Sequence, residues 1–136
     1  MAKKHPMERL LRDRDLPERL VRAVLEVLPA ALSDQTAFLL AGAIRQWDDR
    51  SNAMPAALTE GWQQDGGVPA ELDRLRAMFR YRRERQRYKW FYESGQAMRD
   101  SEEELRSFWV TTGHDVADLD RYMAGVDAEF PDMSAG

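Results

Sequence analysis

A chain of 136 residues that is 43% hydrophobic and 32% charged, with no cysteine and a formal net charge of −4, describes one ordinary folded domain. Such a length is enough to bury roughly two thirds of the unfolded surface, and the composition excludes a membrane protein and a simple disordered tail. The missing cysteines exclude a disulfide framework, a thiol nucleophile and thiolate metal ligation.

The start, Met1-Ala2-Lys3-Lys4-His5-Pro6, leads into charge rather than into an apolar run, and no later stretch approaches the roughly 18 apolar residues of a spanning helix. Neither a signal peptide nor a membrane span is expected, and a cytoplasmic setting follows as the default. After a short turn at 7–12, Asp15-Leu16-Pro17-Glu18 reads as a helix N-cap with a glutamate three residues on. Leu20, Val21, Val24, Leu25 and Leu28 then keep helical spacing until Pro29. Ser33 caps a second helix that sets Phe38, Ala41, Ile44 and Trp47 on one side with Leu40 beside them, and that ends near 48–51. Pro55, Gly61, Gly66, Gly67 and Pro69 mark residues 51–68 as a connector and candidate hinge, holding one short helix at about 56–64 that offers Leu58 and Trp62 to the core.

Pro69 and Gly95 bracket the longest helix, about 69–94. Ser101 with Glu104 reads as a capping box opening a helix that carries Leu105, Phe108 and Trp109 and stops at Gly113. The last helix, about 115–128, buries Val116, Leu119, Tyr122, Met123 and Val126 and leaves Asp115, Asp118, Asp120 and Asp127 in water. Val, Ile and Thr number only 12, and no run alternates as a strand would. The fold class expected is therefore all-α: a single domain over 1–136, built as a compact bundle of five or six helices around one long central helix.

Charge is segregated along the chain: +3 over residues 1–25, −6 over 26–73, +7 over 74–92 and −8 over 93–136. The basic segment RLRAMFRYRRERQRYKWFY also holds six of the 13 aromatic residues, so it stands apart from the rest in composition. On a helix, Arg76, Arg80, Arg83 and Arg87 line one side, and Arg82, Arg85 and Lys89 lie opposite. Two apolar strips run between them, one with Leu72, Leu75, Phe79 and Trp90, the other with Ala77, Tyr81, Tyr88 and Tyr92. Such a helix should touch two neighbours.

Three readings of these cations stay open. They pair with the acidic helices of the same chain, the long arginine stems covering apolar surface. They dock an acidic protein surface or a second copy, with Arg76, Arg80, Arg83, Arg87, Trp90 and Tyr92 as the contact residues. Or they grip a polyanion, with Arg82, Arg85 and Lys89 on phosphates and Tyr81, Tyr88 or Trp90 stacking on bases. A sequence pI near 5.2 argues against a free DNA binder. A helix-turn-helix over 101–126 is rejected, because Asp115, Asp118 and Asp120 would face phosphates with like charge.

Chemistry is scarce. His114-Asp115 with Asp118 resembles part of a metal-binding set but lacks further histidines, and His5 lies in a terminus. Asp100, Glu102, Glu103 and Glu104 fit a helix start better than a catalytic pair. Gly66-Gly67-Val68-Pro69 lacks the spacing of a phosphate loop. No enzyme, metal, cofactor or small-molecule ligand is expected. The expected function is that of a non-enzymatic helical interaction or accessory protein, working on a protein partner or by self-association, with a nucleic-acid-contacting subunit of a larger complex as the alternative.

Overall fold

The computed structural model describes residues 9–11, 18–27, 32–49, 54–90 and 95–131. These form six helices: α1 (Glu18–Val27), α2 (Asp34–Asp49), α3 (Ala56–Gln64), α4 (Pro69–Trp90), α5 (Gly95–Thr111) and α6 (Val116–Glu129). No strand occurs among the described residues, and a further helical stretch covers 9–11. The all-α bundle around a long helix is therefore the fold. Asp15, Leu28 and Pro29, read from sequence as the signals bounding α1, and residues 91–94, read as the end of α4, lie outside the described residues.

α4 is the axle: it touches each of the other five helices. α5 runs back along it, and α6 returns parallel to it. Its apolar side chains Leu72, Leu75, Met78 and Phe79 are at most 2% exposed. They meet Trp47 from α2 and Leu58 and Trp62 from α3, all fully buried. Burying each of the larger side chains contributes about 1.5–3 kcal/mol. Trp47 and Phe79 pack with centroids 6.3 Å apart and tilted rings, a favoured aromatic arrangement.

Local signals explain most boundaries. The Ser33 hydroxyl accepts from the Thr36 amide at 3.2 Å and caps α2. Asp65, beyond α3, accepts from both the Ser33 amide (2.9 Å) and its hydroxyl (3.0 Å), so the connector after α3 is fastened to the start of α2. α3 and α5 end alike, on glycines at φ 89° (Gly66) and 75° (Gly113). At each, the glycine amide donates to the carbonyl three residues back and the next amide to the one five back, as with Gly113 to Val110 (3.0 Å) and His114 to Trp109 (3.2 Å).

Four sequence expectations are corrected. Phe38 is 65% exposed, while Ala37, Leu40, Ala41, Ile44 and Trp47 form the buried side of α2. Steps of three residues fall about 60° short of a turn, so Phe38 and Trp47, nine apart, lie on opposite sides. Gly95 begins α5 instead of ending α4. Ser101 is consequently interior, its hydroxyl donating to the Met98 carbonyl at 2.7 Å instead of capping. Val116 is 43% exposed, because the first residue of a helix at the end of a bundle has neighbours on fewer sides.

Candidate functional site

The basic segment of α4 is the site to which the sequence points, and its residues face two different neighbours. Arg76 and Arg80 converge on one carboxylate of α5: Arg76 Nη1 lies 3.6 Å from Glu104 Oε1, and Arg80 Nη1 2.7 Å from Glu104 Oε2. Arg83 is only 6% exposed; its Nη1 donates to the Trp47 carbonyl in the last turn of α2 at 2.9 Å, and its Nε lies 3.6 Å from Glu84. Burial pushes the Arg83 guanidinium pKa below its ordinary value, against the pull of Glu84. Arg87, the fourth in the row, also faces Glu84 at 3.6 Å, with a side chain 38% exposed. Spacings of four, three and four keep the row on one side of the helix, as the sequence implied. That side meets α5 and the end of α2, so the row is not a comb facing outward.

The opposite strip is held by the C-terminal end of α6. Arg82 Nε donates to Glu129 Oε2 at 3.1 Å. Arg85 Nε and Lys89 Nζ both meet Asp127 Oδ1, at 3.0 and 2.9 Å. Asp127, expected to stay wet, is instead a bridge to α4, and these hydrogen bonds, Lys89 first and then Arg85, hold its carboxyl pKa below the usual carboxylate range. Three carboxylates, Glu104, Asp127 and Glu84, thus each lie between two cations of α4.

The aromatic residues divide in the same way. Tyr81 is 3% exposed and packs on Tyr122 at 6.4 Å, so neither ring face is open to a base. Burial raises its phenol pKa. Trp90 is half-buried: Phe130 meets it edge-on at 5.1 Å, and its Nε1 donates to the Pro131 carbonyl at 3.4 Å. Tyr88, at 43%, is the exposed ring of the segment. Tyr92 lies outside the described residues.

Two features lie outside what the sequence indicates. Arg99 reaches the same corner as Tyr88, since a Cβ on Gly95 would lie 3.1 Å from Arg99 Nη1 and 3.4 Å from Tyr88 Cε2. At the other end of α4, Glu71 joins His114 Nε2 (2.8 Å) to Arg74 (3.0 Å), whose guanidinium stacks 4.6 Å from the centre of the Trp109 ring. The Glu71–Arg74 spacing of three was readable, whereas the pairing with His114 crosses 43 positions and needs the fold. The His114-Asp115 dipeptide is divided: His114 faces Glu71, and Asp115 caps α6 by accepting from the Ala117 amide at 2.9 Å. Among the described residues no three His, Cys, Asp or Glu side chains gather as a metal site, and no described helix is long and apolar enough to cross a membrane.

The Asp127 bridge carries a pH prediction. A carboxyl whose folded pKa is depressed stabilises the fold above its unfolded pKa, about 3.9, and loses that contribution as pH falls through the lower folded value. Asp127→Asn should lower stability at pH 7 by up to about 1 kcal/mol, small because the side chain is 45% exposed and screened by solvent. Urea titrations of both proteins should converge only once pH has fallen through the lower folded value; a difference that persists below it would assign the effect to packing. Comparison with protein-family models, curated proteins and solved structures finds no match to the chain.

Proposed function

We propose that the chain is a non-enzymatic helical interaction protein that meets a protein partner, foreign or a second copy, at the corner where α4 ends and α5 begins. One observation carries this reading. Along α4 the cations from Arg74 to Arg85 have side chains no more than 23% exposed, whereas Arg87 is 38% and Tyr88 43% exposed. Arg99 stands beside them, exposed, bonded to neutral Gln96 at 3.3 Å. The contact set of the basic helix is thereby narrowed: Arg87, Tyr88 and Arg99 carry it with Trp90, while Arg76, Arg80 and Arg83 hold the bundle together.

An extended polyanion suits this corner less well, because Asp100 and Glu103 follow on the exposed side of α5 within about two turns. The test is light scattering at high micromolar concentration, paired with anisotropy of a labelled short acidic peptide, too short to reach Asp100 and Glu103, at 50 and 200 mM salt. Either a stable multimer or salt-sensitive peptide binding is expected, and Arg87→Glu with Tyr88→Ala should weaken it about tenfold or more without changing helicity. A monomer that binds no acidic polypeptide sinks the reading, as does binding indifferent to both changes. Binding of a single-stranded oligonucleotide alone would move the function to nucleic acid.

A further inference from the structure

The strip Arg82, Arg85, Lys89 and Trp90 already holds a ligand of recognisable chemistry, supplied by the chain itself. Residues 127–131, Asp-Ala-Glu-Phe-Pro, set one carboxylate on Arg85 and Lys89, a second on Arg82, an aromatic edge on Trp90 and a backbone carbonyl on the indole N–H. The Arg82 guanidinium also lies 5.5 Å from the centre of the Phe130 ring. From the sequence this strip read as a surface for anions; in the fold an acidic segment covers it.

The segment is attached differently from the rest of α6. Leu119, Tyr122 and Val126 anchor the helix in the core, and the Tyr122 hydroxyl donates to the Met78 carbonyl at 2.7 Å. Beyond Val126 the attachment includes the ion pairs, with Asp127 nearly half exposed, and the Phe130 ring, 4% exposed, seated against Trp90. Ion pairs of this kind exchange partners at little cost, since a competing carboxylate replaces what is lost. A competing segment that brings both carboxylates and an aromatic ring replaces each of these contacts, and Leu119, Tyr122 and Val126 anchor the rest of α6 independently of them.

We propose that residues 127–131 are an intramolecular competitor occupying a peptide-binding strip on α4, and that the partner segment it excludes has the same pattern of acid, spacer, acid and aromatic. The occupant is a peptide rather than a nucleic acid. Trp90 donates to a backbone carbonyl, Phe130 supplies the aromatic edge, and the buried Tyr81 offers no ring for base stacking. The inference rests on the interaction reading and shares Trp90 with the corner but uses a different row of cations, so the two fail separately: Arg87→Glu probes the corner, Arg85→Glu the strip.

The test uses a labelled peptide of residues 124–133 of this chain. The variant Asp127→Asn/Glu129→Gln/Phe130→Ala should bind it at least about tenfold more tightly than the unaltered protein, whose own segment competes. Adding Arg85→Glu should abolish binding, as should neutralising the peptide's two acids. A folded variant that ignores the peptide, or binding unaffected by Arg85→Glu, overturns the proposal. Should the variant not fold, hydrogen exchange on the unaltered protein decides: excess peptide should speed exchange at 127–130 and not at 119–126, and no change overturns the idea. Displacement by a thymidine oligonucleotide with none by the peptide overturns it as well.

Discussion

Arg83→Ala should cost about 3 kcal/mol of folding stability, lowering the midpoint of thermal unfolding by roughly 10 °C. The guanidinium is 6% exposed and serves two groups at once, the Trp47 carbonyl and the Glu84 carboxylate. Trp47 stands in the last turn of α2, where carbonyls lack intrahelical donors and where α2 has no basic residue of its own. Arg83 supplies from α4 both the donor and the positive charge that this end favours. Its loss removes that donor and takes one of two cations from Glu84, itself 8% exposed, and charged hydrogen bonds in such settings are worth about 1.5–3 kcal/mol. Arg83→Met should recover about 1 kcal/mol by restoring the stem's packing without the charge. Arg83→Lys should fall between, because a single ammonium cannot reproduce the guanidinium's fork. Urea titrations with unchanged slopes would measure all three, and a loss below about 1 kcal/mol for alanine would show that the α2–α4 junction does not depend on this residue.

The largest loss should come from Trp62. It is fully buried, its indole N–H donates to the Val68 carbonyl at 2.9 Å, and its own carbonyl accepts from the Gly67 amide at 2.7 Å. The ring presses so closely under the loop that a Cβ on Gly67 would fall 2.3 Å from Nε1. Trp62→Ala should cost about 4 kcal/mol through the cavity and the lost bond together. Trp62→Phe, which retains most of the ring, should cost about 1–2 kcal/mol, chiefly for a Val68 carbonyl deprived of its indole donor. Because Val68 accepts from the Glu71 amide at the first turn of α4, the alanine variant should also speed hydrogen exchange at 71 and 72. Equal stability of the phenylalanine variant and the unaltered protein would show that this bond adds nothing net.

Much of the architecture was legible because its signals are local. Ser33, Asp115 and the glycines at 66 and 113 act through hydrogen bonds within a few residues, so α2 and α6 begin, and α3 and α5 end, where their residue types indicate. Where two local signals conflict, the sequence misleads. Gly95 looks like a terminator and Ser101-Glu104 like a start, yet the helix runs through Ser101 and aims Glu104 across at Arg76 and Arg80. A serine three residues before a glutamate looks the same from the sequence whether it caps a helix or sits inside one. A step of three that looks regular over one turn and drifts half-way round over three makes Phe38 look like a core residue, although it is exposed.

By itself the sequence determined the class of fold, the existence of a long basic helix, the alignment of Arg76, Arg80, Arg83 and Arg87 on one side of it, and the absence of cysteine chemistry, since these follow from composition and from a helical period of 3.6 residues. Only the tertiary structure decided what those cations face. Glu104, Asp127 and Glu129 lie 24 to 47 positions from the arginines they meet, and which acidic helix folds onto which basic strip depends on how the apolar sides of α5 and α6 seat against α4. Charge attracts at any sequence separation, but hydrophobic packing selects the register, and so the same row of arginines that reads as an open surface along the chain closes into the bundle, leaving Arg87 and Tyr88 the more exposed at the α4–α5 corner.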